Sequence, residues 1–236
     1  MYLIEKCINK LYQDGFTYFL NPKELQEVTS HLKKNSFQIY KPYQECEKCI
    51  LYQNEIPQII LYEIDSPIVL KHSDILGTLF SLQIDEHLFG DIVIWNNRYF
   101  FYTFKYMNTY YEMELKKIKN ANITLIEKDI HILCEYQPDY EEITIINSSL
   151  RIDSVIAKLI HTNRDTIKYL IKEKKITYNY EILTNGTKNI EINDVFSIRK
   201  YGKYKFIKII GNTKKNNIIL KIFKYIEKNS SNELFK

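Results

Sequence analysis

The stretch "LRIDSVIAKLIHTNRDTIKYLIKEKKITYN", residues 150–179, breaks its helical apolar period once and then exchanges it for that of a strand. Leu150, Ile152, Val155, Ile156 and Leu159 recur at helical spacing, Ile167, Leu170 and Ile171 resume it, and "KITYN" reads as a strand. Ser148 or Ser149 is placed to cap the first helix and Asn163 the second. Both helices are expected to pack on further strands at "EILT", "DVFSIRK" and "YKFIKIIG", with turns at Asn193-Asp194 and Tyr201-Gly202. The second helix carries Arg164, Lys168, Lys172 and Lys175, whose spacing puts the charges in one stripe.

Charge sharpens this pattern. Residues 150–236 hold 19 Lys and Arg against 8 Asp and Glu, a balance of +11; residues 1–149 hold 14 against 21, or −7, and the net is +4. A basic end on an acidic body predicts a polyanion-binding module carried by something else. Charge alone does not separate RNA from DNA or an anionic membrane. No apolar run reaches membrane-spanning length, and Glu5, Lys6, Lys10 and Asp14 interrupt the start as no signal peptide would allow, so a cytoplasmic address is expected.

Upstream, a helix is predicted over 2–13 from the face made by Leu3, Ile4, Cys7, Ile8 and Leu11, ended by Gly15. Asn21, Pro22 and Glu24 form a capping-box start for a second helix. Strands follow at "SFQIYKP", "KCILYQN" and "QIILYEI", and a turn at Asp65-Ser66-Pro67 closes an α+β domain over 1–67. A central domain over 68–146 reads as the helix "HSDILGTLFSLQI", the strands "GDIVIW" and "RYFFYTF" around Asn96-Asn97, a helix over 106–120 and the strand "NITLIEK". "RYFFYTF" is expected to bury one face, with a docking or base-stacking role as the alternative. "QPDYEEIT" reads as a polar connection into the last domain, 147–236, whose end "KNSSNELFK" is a polar tail.

The last domain resembles the S-four-type RNA-binding domain of a ribosomal small-subunit protein: it carries Arg151-Ile152-Asp153, Asn163-Arg164, Ile176-Thr177-Tyr178-Asn179 and Asp194-Val195-Phe196-Ser197-Ile198. Lys174 and Asn193 stand where that pattern has glycines. Over nearly the whole chain, "YFLNPKE", "PYQECEK", "KHSDILGTLFSLQIDEHLFGDI", "SLRIDSVIA" and "RKYGKYKFIKIIGNTKKN" are similar to YlmH-family proteins. That resemblance implies an α+β fold of three parts: an N-terminal α+β domain, a ribonucleoprotein-like sandwich and the S-four-type module. It also implies structured RNA (ribosomal RNA and tRNA, with peptidyl-tRNA) on the large ribosomal subunit as partner, in quality control or rescue of stalled translation, with a link to cell division. Arg151, Arg164, Lys168, Lys172, Lys174, Lys175, Arg199, Lys203 and Lys205 are the expected RNA-binding residues, their cations meeting phosphates and reading RNA by shape. Asp85-Glu86 replaces a basic pair of the family, and Ser73 an arginine, so the last domain is expected to supply more of the attraction.

No catalytic residues, metal ligands, cofactor or small-molecule substrate are expected, and the protein is expected to be a monomer. Cys46-Glu-Lys-Cys49 lacks the second ligand pair of a zinc site. His72 and Asp74 suit a helix cap, Asp153 suits a helix N-terminus paired with Arg151 or Arg164, and His87 and Asp91 complete no catalytic set. The alternatives are an RNA-modifying enzyme of the pseudouridine-synthase type, which would need a separate catalytic domain, and a division-linked protein-interaction adaptor. A methyltransferase is disfavoured because the 6 Gly form no cofactor loop.

Overall fold

The computed structural model describes residues 2–226, so the polar tail expected at 228–236 lies outside them. Helices and antiparallel sheets mix in an α+β fold, and the described residues form two compact units, 2–137 and 138–226.

The first unit opens with α1 (Tyr2–Asp14), which buries Cys7 and Leu11 and stops at Gly15, where φ is +83°. α2 (Pro22–Ser30) begins on the predicted box: Asn21 Oδ1 accepts from the Lys23 and Glu24 N–H groups at 3.0 Å, and Glu24 accepts from the Asn21 N–H at 2.9 Å. β1 (Gln38–Tyr40) pairs with β2 (Ile50–Tyr52). There follow β3 (Ile59–Asp65), α3 (His72–Ser81), β4 (Phe89–Trp95), β5 (Arg98–Phe104), α4 (Asn108–Glu114), a small hairpin of β6 (Lys117–Ile118) and β7 (Ala121–Asn122), and β8 (Thr124–Lys128). The main sheet has the order β4-β5-β3-β8, the split βαββαβ arrangement.

Three expectations change here. A cut after residue 67 would divide this sheet, because β3 is a central strand paired with β5 and β8; the turn after Asp65 leads into α3 and is no linker. The helix expected over 106–120 stops at Glu114, and Lys119, at φ +55°, turns the small hairpin instead. "RYFFYTF" is buried on both faces. Tyr99 and Phe101 join Tyr62, Ile75, Leu79 and Tyr111 beneath the helices. Phe100, Tyr102 and Phe104 meet Phe19, Tyr43, Ile50 and Leu133 on the other side.

The second unit comprises β9 (Asp139–Asn147), α5 (Ile152–Leu159), α6 (Arg164–Lys172), β10 (Ile176–Tyr178), β11 (Glu181–Ile182), β12 (Val195–Ile198), β13 (Gly202–Asn212) and β14 (Ile218–Ile226). Its six-stranded antiparallel sheet has the order β11-β10-β12-β13-β14-β9. Ile152, Val155, Ile156 and Ile167 bury against Ile176, Phe196, Phe206 and Leu220. The segment expected as a polar connection starts β9, which pairs residue by residue with β14, a strand beyond those expected from the sequence. The module therefore takes in residues upstream of 147. Polarity misled because β9 buries only Ile145 and Asn147 and leaves Glu142, Thr144 and Ile146 outward. Arg151, rather than Ser148 or Ser149, is the N-cap of α5. The entry is held by Asn147, which donates to the Ser149 carbonyl and accepts from Ser154 Oγ at 3.0 Å. Lys174 and Asn193 take the left-handed conformation that glycine would hold, at φ +53° and +74°.

Candidate RNA-binding surface

Asn163 Oδ1 accepts from the Thr166 N–H at 2.8 Å and starts α6 with its core side, Ile167 and Leu170, on the sheet. That orientation leaves Arg164, Lys168 and Lys172 exposed. At 1.5 Å per residue their Cα atoms span about 12 Å along the helix. Lys168 Nζ lies 2.9 Å from Asp165 Oδ1, but both side chains are largely exposed (72% and 87%), so this pair is weak and open to exchange for a phosphate. Lys174 is exposed at the end of the helix, and Lys175 folds over the Tyr169 ring at 5.1 Å. The Arg199 N–H donates to the Lys175 carbonyl at 2.9 Å, which brings exposed Arg199 to the same end of the sheet.

Arg151 has a second duty. Its guanidinium forks onto Asp153, with Nε–Oδ1 at 3.2 Å and Nη2–Oδ2 at 2.6 Å. Asp153 is 4% exposed. Burial works against its charge, but the Arg151 hydrogen bonds outweigh it, with the field of Arg164 assisting, and the carboxyl is held below its usual range. Gly186 lies against this residue: a methyl group there would come within 2.9 Å of Ile171 and 3.1 Å of Asp153. Asp153 thus anchors the start of α5 and aims Arg151.

The expected cations do not share one surface. Arg151, Arg164, Lys168 and Lys172 belong to the helix layer, and Lys174, Lys175 and Arg199 to the adjoining end. Lys203 and Lys205 alternate with buried Tyr204 and Phe206, so they stand on the sheet face away from the helices. There Lys203 Nζ sits 5.0 Å from the Tyr225 ring and 5.4 Å from the Tyr180 ring. Lys221 joins that face, 5.7 Å from the Phe223 ring. The alternation in "IILKIFKYI" could have revealed it.

In the first unit, the acidic and histidine residues of the sequence motifs hold the fold. Asp74 accepts from the Lys71 N–H at 2.9 Å and pairs with Lys119 at 2.5 Å. Asp91 accepts from the Tyr43 hydroxyl at 2.9 Å and from the Glu47 and Lys48 N–H groups at 2.7 and 3.2 Å, fastening the segment that carries Cys46. His87 bridges Glu24 at 3.0 Å and Asp85 at 2.7 Å. Burial pushes the Cys46 thiol up to about 12 and Cys49 up to about 11, which suits packing groups rather than thiolate nucleophiles. Among the described residues no cluster of His, Cys, Asp and Glu could hold a metal ion. No helix among them is long and apolar enough to cross a membrane.

Known proteins resemble this chain at three levels. The family described as "Putative RNA-binding domain in YlmH" matches residues 53–131, a span that contains the whole βαββαβ unit. Over 225 residues the chain is 24% identical to the "Ribosome-associated protein quality control protein P2" of Bacillus subtilis (strain 168), covering 90% of this chain and 88% of that protein. The solved structure "Cell division protein ylmH from Streptococcus pneumoniae" is 19% identical, covers 55% of this chain and 88% of its own, and gives a TM-score of 0.46.

Proposed function

We propose that this chain of the YlmH family is a non-catalytic RNA-binding protein that associates with the ribosome, grips ribosomal RNA and peptidyl-tRNA on the large subunit, and serves the quality control of stalled translation. The observation that carries the reading is the exposed row Arg164, Lys168 and Lys172 on one side of α6. A rigid helix offering cations at regular spacing suits the phosphate backbone of folded RNA, which proteins read by shape and phosphate contacts more than by base edges. The central domain contributes less attraction on this reading. A four-stranded sheet that binds RNA usually stacks bases on an open aromatic face, whereas here both faces of β5 are covered. Asp85 and Glu86 stand where the resembling family has a basic pair, and Asp85 is turned to His87 and Lys6 at 2.7 and 3.7 Å.

The test is Arg164→Glu combined with Lys168→Glu, followed by sedimentation of lysate through sucrose. The variant should leave the ribosomal fractions and appear at the top of the gradient, with an unchanged circular dichroism spectrum. Full co-sedimentation of a folded double variant would overturn the assignment.

A further inference from the structure

The back of the C-terminal sheet carries a second pattern that the α6 row does not use. Alternation along β9, β13 and β14 sends Ile145, Phe206 and Leu220 into the core and turns Tyr140, Lys203, Lys205, Lys221, Phe223 and Tyr225 to the other side. The rings form one cluster. Tyr140 stacks on Phe223 with centroids 5.2 Å apart and meets Tyr225 edge-on at 4.9 Å. Lys203 approaches the Tyr225 ring and Lys221 the Phe223 ring. Lys205 lies directly across from Phe223 in the β13–β14 register.

The charge on this face is unbalanced in a telling place. Lys208 stands in register opposite Lys221, and like charges directly opposite each other destabilise an antiparallel pair. Glu142, 2.6 Å from Lys221, offsets one of the two. A bound polyanion would relieve the rest. Flat rings interleaved with lysines are the chemistry of single-stranded nucleic acid recognition: bases stack on the rings while ammonium groups track the phosphates. We propose that the back of this sheet binds single-stranded RNA, independently of the folded RNA assigned to α6.

The experiment uses the full chain and an oligouridylate of about 12 nucleotides, within the usual site size of such surfaces. Ultraviolet crosslinking of the unaltered protein should map adducts to residues 139–147 and 218–226; adducts confined to 164–175 would overturn the proposal. In fluorescence anisotropy, Tyr140→Leu with Tyr225→Leu keeps apolar bulk but removes two stacking faces. It should weaken oligouridylate binding roughly tenfold or more and leave ribosome co-sedimentation intact. Arg164→Glu with Lys168→Glu should show the reverse. Unchanged oligouridylate affinity in the folded leucine variant, or capture of a protein partner in place of RNA by this face, would refute it.

Discussion

Gly77 and Gly90 belong to one sequence block, yet the structure predicts opposite responses when each becomes alanine. A methyl group at Gly90 would lie 1.7 Å from Tyr102 Cε2 and 2.1 Å from Cζ, inside the ring itself. The ring would have to move by roughly 1.7 Å to reach ordinary contact. It has no room: Tyr102 is fully buried, packed edge-on by Phe19 at 5.3 Å and Tyr43 at 6.1 Å, with its hydroxyl donating to the Lys48 carbonyl at 3.2 Å. Overpacking costs about 1–3 kcal/mol, and loss of the hydroxyl bond and of ring contacts adds about 1 kcal/mol each. Gly90→Ala should therefore destabilise the first unit by about 3–5 kcal/mol. Around Gly77, in the middle of α3, a methyl group meets nothing within 4 Å, so Gly77→Ala should stabilise by about 0.5–1 kcal/mol. Urea denaturation followed by circular dichroism reads both as opposite midpoint shifts. A double-mutant cycle tests the cause: Tyr102→Leu should relieve Gly90→Ala, with a coupling of about 1–3 kcal/mol. A Gly90→Ala protein within about 0.5 kcal/mol of the parent, or strict additivity with Tyr102→Leu, would refute the steric argument.

Other expectations follow from the ion pairs and the cation row. Arg164→Gln should lower the dependence of RNA affinity on salt, reducing the slope of log K against log salt by about one, as read by filter binding at several ionic strengths. Asp153 titrates below its ordinary range in the folded chain, so its pairing with Arg151 stabilises above the unfolded carboxyl pKa and is lost as pH falls through the folded one. Asp153→Asn should remove that component of acid unfolding in thermal melts. His87 behaves oppositely: burial disfavours its charge, but Glu24 and Asp85 outweigh burial and raise its pKa. Its contribution is complete below the unfolded value and fades as pH rises through the folded value, and His87→Gln should flatten melting temperatures across that window.

Much of this architecture is legible in local chemistry. Asn21, Pro22 and Glu24 announce α2, Asn163 announces α6, and the four-residue spacing of Arg164, Lys168 and Lys172 is a statement about one helix face. The partners of strands are less local. Nothing in "QPDYEEIT" says that it lies beside β14, because an edge strand with a polar outer face resembles a loop in composition. The burial of "RYFFYTF" on both sides depends on Phe19, Tyr43 and Leu133, which come from distant segments. The separation of Lys203 and Lys205 from the α6 row is readable once the period-two pattern of β13 is applied to charges as well as to apolar residues.

The pairing of β9 with β14 also bears on how the chain is made. These two strands bracket the second unit, and residues 148–217 must be synthesised before either finds the other. During that interval β9 has emerged with unpaired amides and the side chains of Ile143, Ile145 and Ile146 bare. The sheet of the second unit therefore cannot close along this border until its last described strand has been made.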